Sequence, residues 1–135
     1  MQYYQAKTGR TPGTDFREIY AKAYGFFKIL KNKTKRKPHI RSVYFNKQKI
    51  FLDFFWEHMH NKNPRDRLRR LKYFSAAIEL IQKTKKPPES SRNPNKKSEI
   101  LHRFRGRTQD GYYFTVQIKE LPKTNQKYLI SLFPE

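Results

Sequence analysis

The sequence predicts an α+β domain: two to three N-terminal helices packed on one face of a small antiparallel β-sheet. Three observations predict it. Apolar residues recur at helical spacing through 16–30 and again through 50–81. They alternate with polar residues after position 99, as half-buried strands require. Gly, Pro and Asn punctuate that last region into three strands, and His39–Phe45 supplies another short β-rich run. The sheet is therefore expected to be a C-terminal three-stranded meander plus a strand at 40–45. The chain divides into a flexible arm (1–13), an accessory helix with a basic linker (14–37) and one α+β domain (38–135).

Residues 1–13 hold Gly9, Pro12 and Gly13 among polar neighbours and read as a loose arm. Thr14 or Asp15 can cap a helix, and Glu18 suits its first turn. Phe16, Ile19, Tyr20, Ala23, Phe27 and Leu30 then line one face of that helix. The run 31–37 ends it as a solvated linker. After Pro38, Ile40, Val43 and Phe45 mark a short strand. A second helix is expected from about Lys47 to His60, with Ile50, Phe51, Phe54, Phe55 and Met59 as its stripe. Asn63 followed by Pro64 restarts the helical pattern, an N-cap with proline at the first helical position. This third helix runs to about Lys83 and carries Arg65, Arg67, Arg69, Arg70 and Lys72 in its first turns. Residues 84–98, with Pro87, Pro88 and Pro94, read as a long loop.

The meander comprises 99–107, 112–120 and 127–133. Its first turn, Thr108-Gln109-Asp110-Gly111, suits a three-residue loop with Gly111 in the left-handed position. That loop sets His102 opposite Ile118, Phe104 opposite Val116 and Gly106 opposite Phe114 on one face. Arg103 then pairs with Gln117 and Arg105 with Thr115 on the other. A two-residue loop would place the arginines beside Ile118 and Val116, and burial of one face selects the first register. On the third strand, Tyr128, Ile130 and Leu132 are expected to face the helices. The outer face is left with Arg103, Arg105, Arg107, Thr115, Gln117, Lys119, Lys127 and Ser131.

Charge narrows the function. Lys and Arg number 31 against 11 Asp and Glu, a formal net charge of +20. Solubility needs far less than this, and concentrated cations gain most from releasing the counterions of a polyphosphate. Aromatics at 16% and periodic apolar blocks argue against a disordered basic tail. With no cysteine, disulfides and thiolate zinc sites are excluded and the reducing cytoplasm is the expected setting. No apolar run approaches a membrane span, and no signal peptide is read at 1–13. His58 and His60, two apart on a helix, point in different directions, so no metal site is expected. Residues 9–14 lack the Lys and spacing of a phosphate-binding loop, and no cofactor is expected.

Ile40-Arg41-Ser42-Val43-Tyr44-Phe45, the paired helices, Leu101-His102-Arg103-Phe104-Arg105-Gly106 and Tyr128-Leu129-Ile130-Ser131-Leu132-Phe133 follow one order: strand, two helices, three-stranded meander. In that order the stretch from His39 to Phe133 resembles toxins of the RelE/ParE superfamily and the wider barnase/colicin/RelE-like nuclease group carried by phages and plasmids. The resemblance implies metal-independent RNA cleavage, often on the ribosome, and an acidic protein antitoxin as partner. It also implies that sheet arginines stabilise the scissile phosphate, and Arg103 and Arg105 occupy matching strand positions. The closing Ser131-Leu132-Phe133-Pro134-Glu135 lacks the basic or His/Tyr-containing last strand of ribosome-dependent toxins.

Candidate catalytic residues are therefore His102, Arg103, Arg105, Ser131 and His39. Guanidinium groups engage phosphate bidentately, and a histidine can carry the proton of the 2′-hydroxyl or of the leaving oxygen. His102 reads first as a satisfied core histidine, because the register points it at the helices. Arg41, Arg65, Arg69, Arg70, Lys72, Arg107, Gln117, Lys119 and Lys127 are the candidate nucleic-acid contacts. A non-catalytic nucleic-acid-binding regulator or accessory protein is the rival reading, and a basic domain docking an acidic protein is a third.

Overall fold

The computed structural model describes residues 2–34 and 36–135. Met1 of the arm and Lys35 of the basic linker lie outside the described residues. The described residues form four helices and one curled, mixed seven-stranded sheet, so the fold is α+β.

Helix α1 (Phe16–Asn32) starts where its cap predicts, with the Asp15 side chain accepting from the Arg17 amide. It buries Ile19, Ala23, Phe27 and Leu30, one stripe at helical spacing. Strand β2 (His39–Ser42) follows the linker. The expected helix from Lys47 does not begin there. Instead the chain turns back into strand β3 (Gln48–Phe51), which pairs antiparallel with β2. Asn46 and Lys47 take φ of 56° and 63° to make that turn. A left-handed lysine is no sequence signal, and Ile50-Phe51-Leu52 fits helical and strand periods alike.

Helix α2 (Asp53–Met59) is correspondingly short. Helix α3 (Pro64–Leu71) begins at its expected cap, where Asn63 Oδ1 accepts from the Asp66 amide. The single third helix is in fact two, because the chain breaks at Lys72–Tyr73 before α4 (Phe74–Lys83). No Gly or Pro marks the break. It lets Leu71, Tyr73 and Phe74 all be buried, with Tyr73 against Phe114 and Phe74 stacked on Phe55. The expected long loop at 84–98 contains β4 (Glu89–Asn93), which forms a hairpin with β5 (Lys96–Arg107). The meander closes with β6 (Tyr113–Leu121) and β7 (Gln126–Pro134).

With β1 at Tyr4–Gln5, strand order is β1-β5-β6-β7-β3-β2, with β4 also on β5. The sheet is not purely antiparallel, since β1 (Tyr4–Gln5) runs parallel to β5 and β3 runs parallel to β7. Residues expected to form a loose arm thus extend the sheet. They are tied down by Glu79 of α4, whose carboxylate accepts from the Tyr4 hydroxyl, the Lys7 and Thr8 amides and the Thr8 hydroxyl.

The β5–β6 hairpin adopts the expected register: His102 faces Ile118, Phe104 faces Val116, and Arg103 and Arg105 face Gln117 and Thr115. Gly111 is left-handed, φ 94°. The inner face packs Phe104, Phe114, Val116, Ile118 and Leu132 against the helices. Register slips once on β7, where Ser131 opposes Gln117 but Leu129 opposes Ile118. Ile130 is the extra residue of a bulge, which reverses the facing of everything before it. Lys127 and Leu129 turn inward and are buried, whereas Tyr128 and Ile130, expected inside, turn out. No helix among the described residues is long and apolar enough to cross a membrane.

Candidate nucleic-acid interface

Strand alternation delivers Arg103, Arg105, Arg107, Thr115, Gln117, Lys119 and Ser131 to the outer face of β5, β6 and β7. Arg103 is exposed. Arg105 donates from Nε to both Glu135 oxygens (3.2 and 2.9 Å), and its guanidinium carbon stands 4.2 Å from the Tyr113 ring centre. Its two Nη groups carry no hydrogen bond to the described residues. Arg107 Nη1 donates to Gln5 Oε1 at 3.2 Å. Ser131 lies directly across from Gln117.

Towards β7 this face deepens into a cleft of about 310 Å³. Its existence follows from the sheet order. β7 meets β3 only through Lys127 and Tyr128, which frees the rest of its edge for α2 and α3. From there α2 reaches over the outer face, so Phe54, His58 and the following Lys62 form one wall. Gln117, Lys119 and the bulged Ile130 supply the floor, and Asn93 and Glu99 the far wall. Lys119 Nζ lies 4.7 Å from the Phe54 ring centre and 3.7 Å from Glu99 Oε2. Glu99 is 6% exposed, accepts from Asn93 Nδ2 at 3.1 Å and faces Lys96 Nζ at 3.6 Å. His58 is exposed, with its ring 4.3 Å from that of Phe54. Among the described residues no three His, Cys, Asp or Glu side chains gather as a metal ion would require.

The candidate catalytic set does not assemble as a whole. Arg103, Arg105 and Ser131 share the outer face, but His102 lies on the inner one and is buried. There its Nδ1 meets the Ser90 hydroxyl at 2.7 Å and its Nε2 meets Glu120 Oε1 at 2.8 Å, while Phe45 covers the ring. The Glu120 carboxylate accepts from a proton on Nε2, and the Ser90 hydroxyl partners Nδ1. This ladder ties β4, β5 and β6 together. His102 is the satisfied inner histidine, not a partner of the arginines. His39 is on the outer face but on β2, four strands from β5 and roughly 19 Å away around the sheet at ordinary strand spacing. Its Nδ1 meets the Lys37 carbonyl at 3.0 Å.

Lys127, expected as a phosphate contact, is 2% exposed. The bulge turns it inward, where Nζ donates to Gln48 Oε1 (2.5 Å) and Asn125 Oδ1 (2.8 Å). Burial pushes its pKa below the ordinary lysine value, against a weaker upward pull from Glu120. Arg70 is also engaged: it donates to Asp66 and, from Nη1, to the Leu132 carbonyl on the free edge of β7. Arg69 is exposed but paired with the same Asp66, Arg65 is exposed, and Lys72 is half-buried after α3. Arg41 is exposed and caps the β2–β3 turn through Nη1 to the Lys47 carbonyl at 2.9 Å.

His58, Lys62 and Glu99 were not among the expected contacts. Helical spacing shows His58 on the polar side of α2, but nothing local shows that α2 overhangs the sheet. Comparison of the chain with protein-family models, with curated proteins and with solved structures gave no match.

Proposed function

We propose that this protein binds RNA across the outer face of its sheet and cleaves it in the adjoining cleft as a metal-independent endoribonuclease. One observation carries the reading: a carboxylate, an imidazole and two ammonium groups line one cleft, next to the arginines of the same face. In-line cleavage needs a base for the 2′-hydroxyl, cations for the phosphorane and an acid for the leaving oxygen. Glu99 takes the 2′-hydroxyl proton as that oxygen attacks phosphorus. Lys62 and Lys119 hold the charge that develops on the phosphoryl oxygens. Protonated His58, on the opposite wall, gives its proton to the departing 5′-oxygen. The products are a 2′,3′-cyclic phosphate and a free 5′-hydroxyl. Arg103 and Arg105 position the strand through its flanking phosphates.

The test is incubation of the purified protein with single-stranded and structured RNA in EDTA, with and without ribosomes. Cyclic-phosphate ends are expected. Glu99→Gln and His58→Gln should each lower the rate by about 10²-fold or more while RNA binding persists. Absence of cleavage under all these conditions removes the enzyme.

A second reading, non-catalytic RNA binding, is favoured by the separation of His102 and His39 from Arg103 and Arg105. It expects salt-steep binding with no turnover, and Arg103→Ala should then weaken binding by about one phosphate contact. Under either reading an acidic protein is an additional partner of the same cationic face.

A further inference from the structure

One corner of the outer face differs chemically from the rest. Where β1 joins β5, the side chains of Tyr3 and Gln5 come to the outer side beside Arg105, Arg107 and Tyr113. The Tyr3 and Tyr113 rings meet edge to face with centres 5.3 Å apart. The guanidinium carbons of Arg105 and Arg107 lie 4.2 and 5.7 Å from the Tyr113 ring centre. Tyr3 nevertheless keeps 37% of its surface exposed, so the cluster does not exist to bury it.

We infer that this corner is a stacking platform for the unpaired bases of a single-stranded nucleic acid, an inference that rests on the RNA-binding reading above. A duplex keeps its base faces inside the helix and has no use for an exposed aromatic ring. A single strand offers base faces to aromatic and guanidinium planes and phosphates to the same cations. Tyr3 supplies the open ring. Arg105 is fixed in a plane by Glu135 on Nε and by Tyr113 beneath it, and presents its Nη groups to the backbone. Arg107 is oriented by Gln5, whose Oε1 accepts from its Nη1. The platform adjoins Arg103 and Thr115 on the same face, so a strand seated here runs on towards the cleft. The corner thus selects unpaired RNA before the cleft acts on it.

Fluorescence anisotropy with three labelled probes tests this, all bearing 2′-O-methyl groups so that none is cut. They are an oligouridine of about 12 nucleotides, an abasic strand with the same number of phosphates, and a duplex of similar length. The protein should bind oligouridine about 10-fold more tightly than the abasic strand. Tyr3→Ala should lose roughly 5- to 50-fold for oligouridine and nothing for the abasic strand, with Tyr3→Phe close to wild type. Since Tyr3 is exposed, circular dichroism of Tyr3→Ala should match that of the parent. Equal binding of oligouridine and abasic strand, or an unchanged Tyr3→Ala, overturns the platform and leaves the RNA reading standing. If the wild-type protein binds none of the probes at low salt, both fall.

Discussion

At Gly106 a Cβ would stand 2.5 Å from Cζ of Phe114 and 2.7 Å from Cδ1 of Leu80, both fully buried. The strand needs no unusual backbone there; the missing side chain is what lets α4 close on β5 and β6. Gly106→Ala should therefore destabilise the protein by about 1–3 kcal/mol, measured by urea unfolding, as overpacking usually does. Lys127 poses the opposite problem. Its ammonium is buried on neutral oxygens with no carboxylate in contact, and charge is costly there. Lys127→Met should keep or raise the melting temperature, whereas Arg103→Met, on the open face, should leave stability alone and weaken RNA binding. A loss of affinity from Lys127→Met with the fold intact would return that residue to the interface.

Between residues and the whole fold, the alternation of β5 and β6 was fully legible, because only one register buries Phe104, Val116 and Ile118 together. The two capped helix starts at Asp15 and Asn63 were legible for the same reason: side-chain chemistry is local. The β2–β3 hairpin, the break at Tyr73 and the bulge at Ile130 were not. The break and the bulge depend on partners remote in sequence, the hairpin turns through a left-handed Lys47, and none of the three carries the glycine or proline that would announce it. The bulge mattered most, since it moved Lys127 out of the interface and Ile130 into the cleft. The N-terminal segment shows how such a contact is tested. Burial tends to raise the Glu79 pKa, but hydrogen bonds from Thr8, Tyr4 and the Lys7 and Thr8 amides outweigh it and hold the pKa below the ordinary glutamate value. A carboxyl whose folded pKa is depressed adds stability that is complete above its unfolded pKa and disappears as pH falls through the folded one. Glu79→Ala should cost about 2–3 kcal/mol at neutral pH, a difference that shrinks as pH falls through the folded pKa. Hydrogen exchange should show faster exchange at the Lys7 and Thr8 amides in this variant.

Over the whole molecule, a net charge of +20 opposes compaction and attracts polyanions. Both effects are screened, with a Debye length of about 10 Å at 0.1 M salt. Added salt should consequently raise the melting temperature of the free protein while lowering its affinity for RNA. Each phosphate neutralised on a single strand contributes about −0.7 to the slope of log K against log salt. Arg103→Ala should flatten that slope by about one such increment. A salt-independent affinity would assign RNA binding to something other than this face.

The way the sheet finishes its margins has a consequence for solution behaviour. β1 and β4 share the far side of β5, one along residues 106–107 and the other along 96–103. β1 has two residues, and β4 is bounded by Pro88 and Pro94 and slips register between Arg92 and Asn93. β2, at the opposite margin, has four residues, begins just after Pro38 and carries the exposed Arg41. Each margin is too short, too irregular or too charged to template another chain by strand addition. Strand addition at these borders is therefore disfavoured, and fibres should form more slowly than from flat, apolar ones.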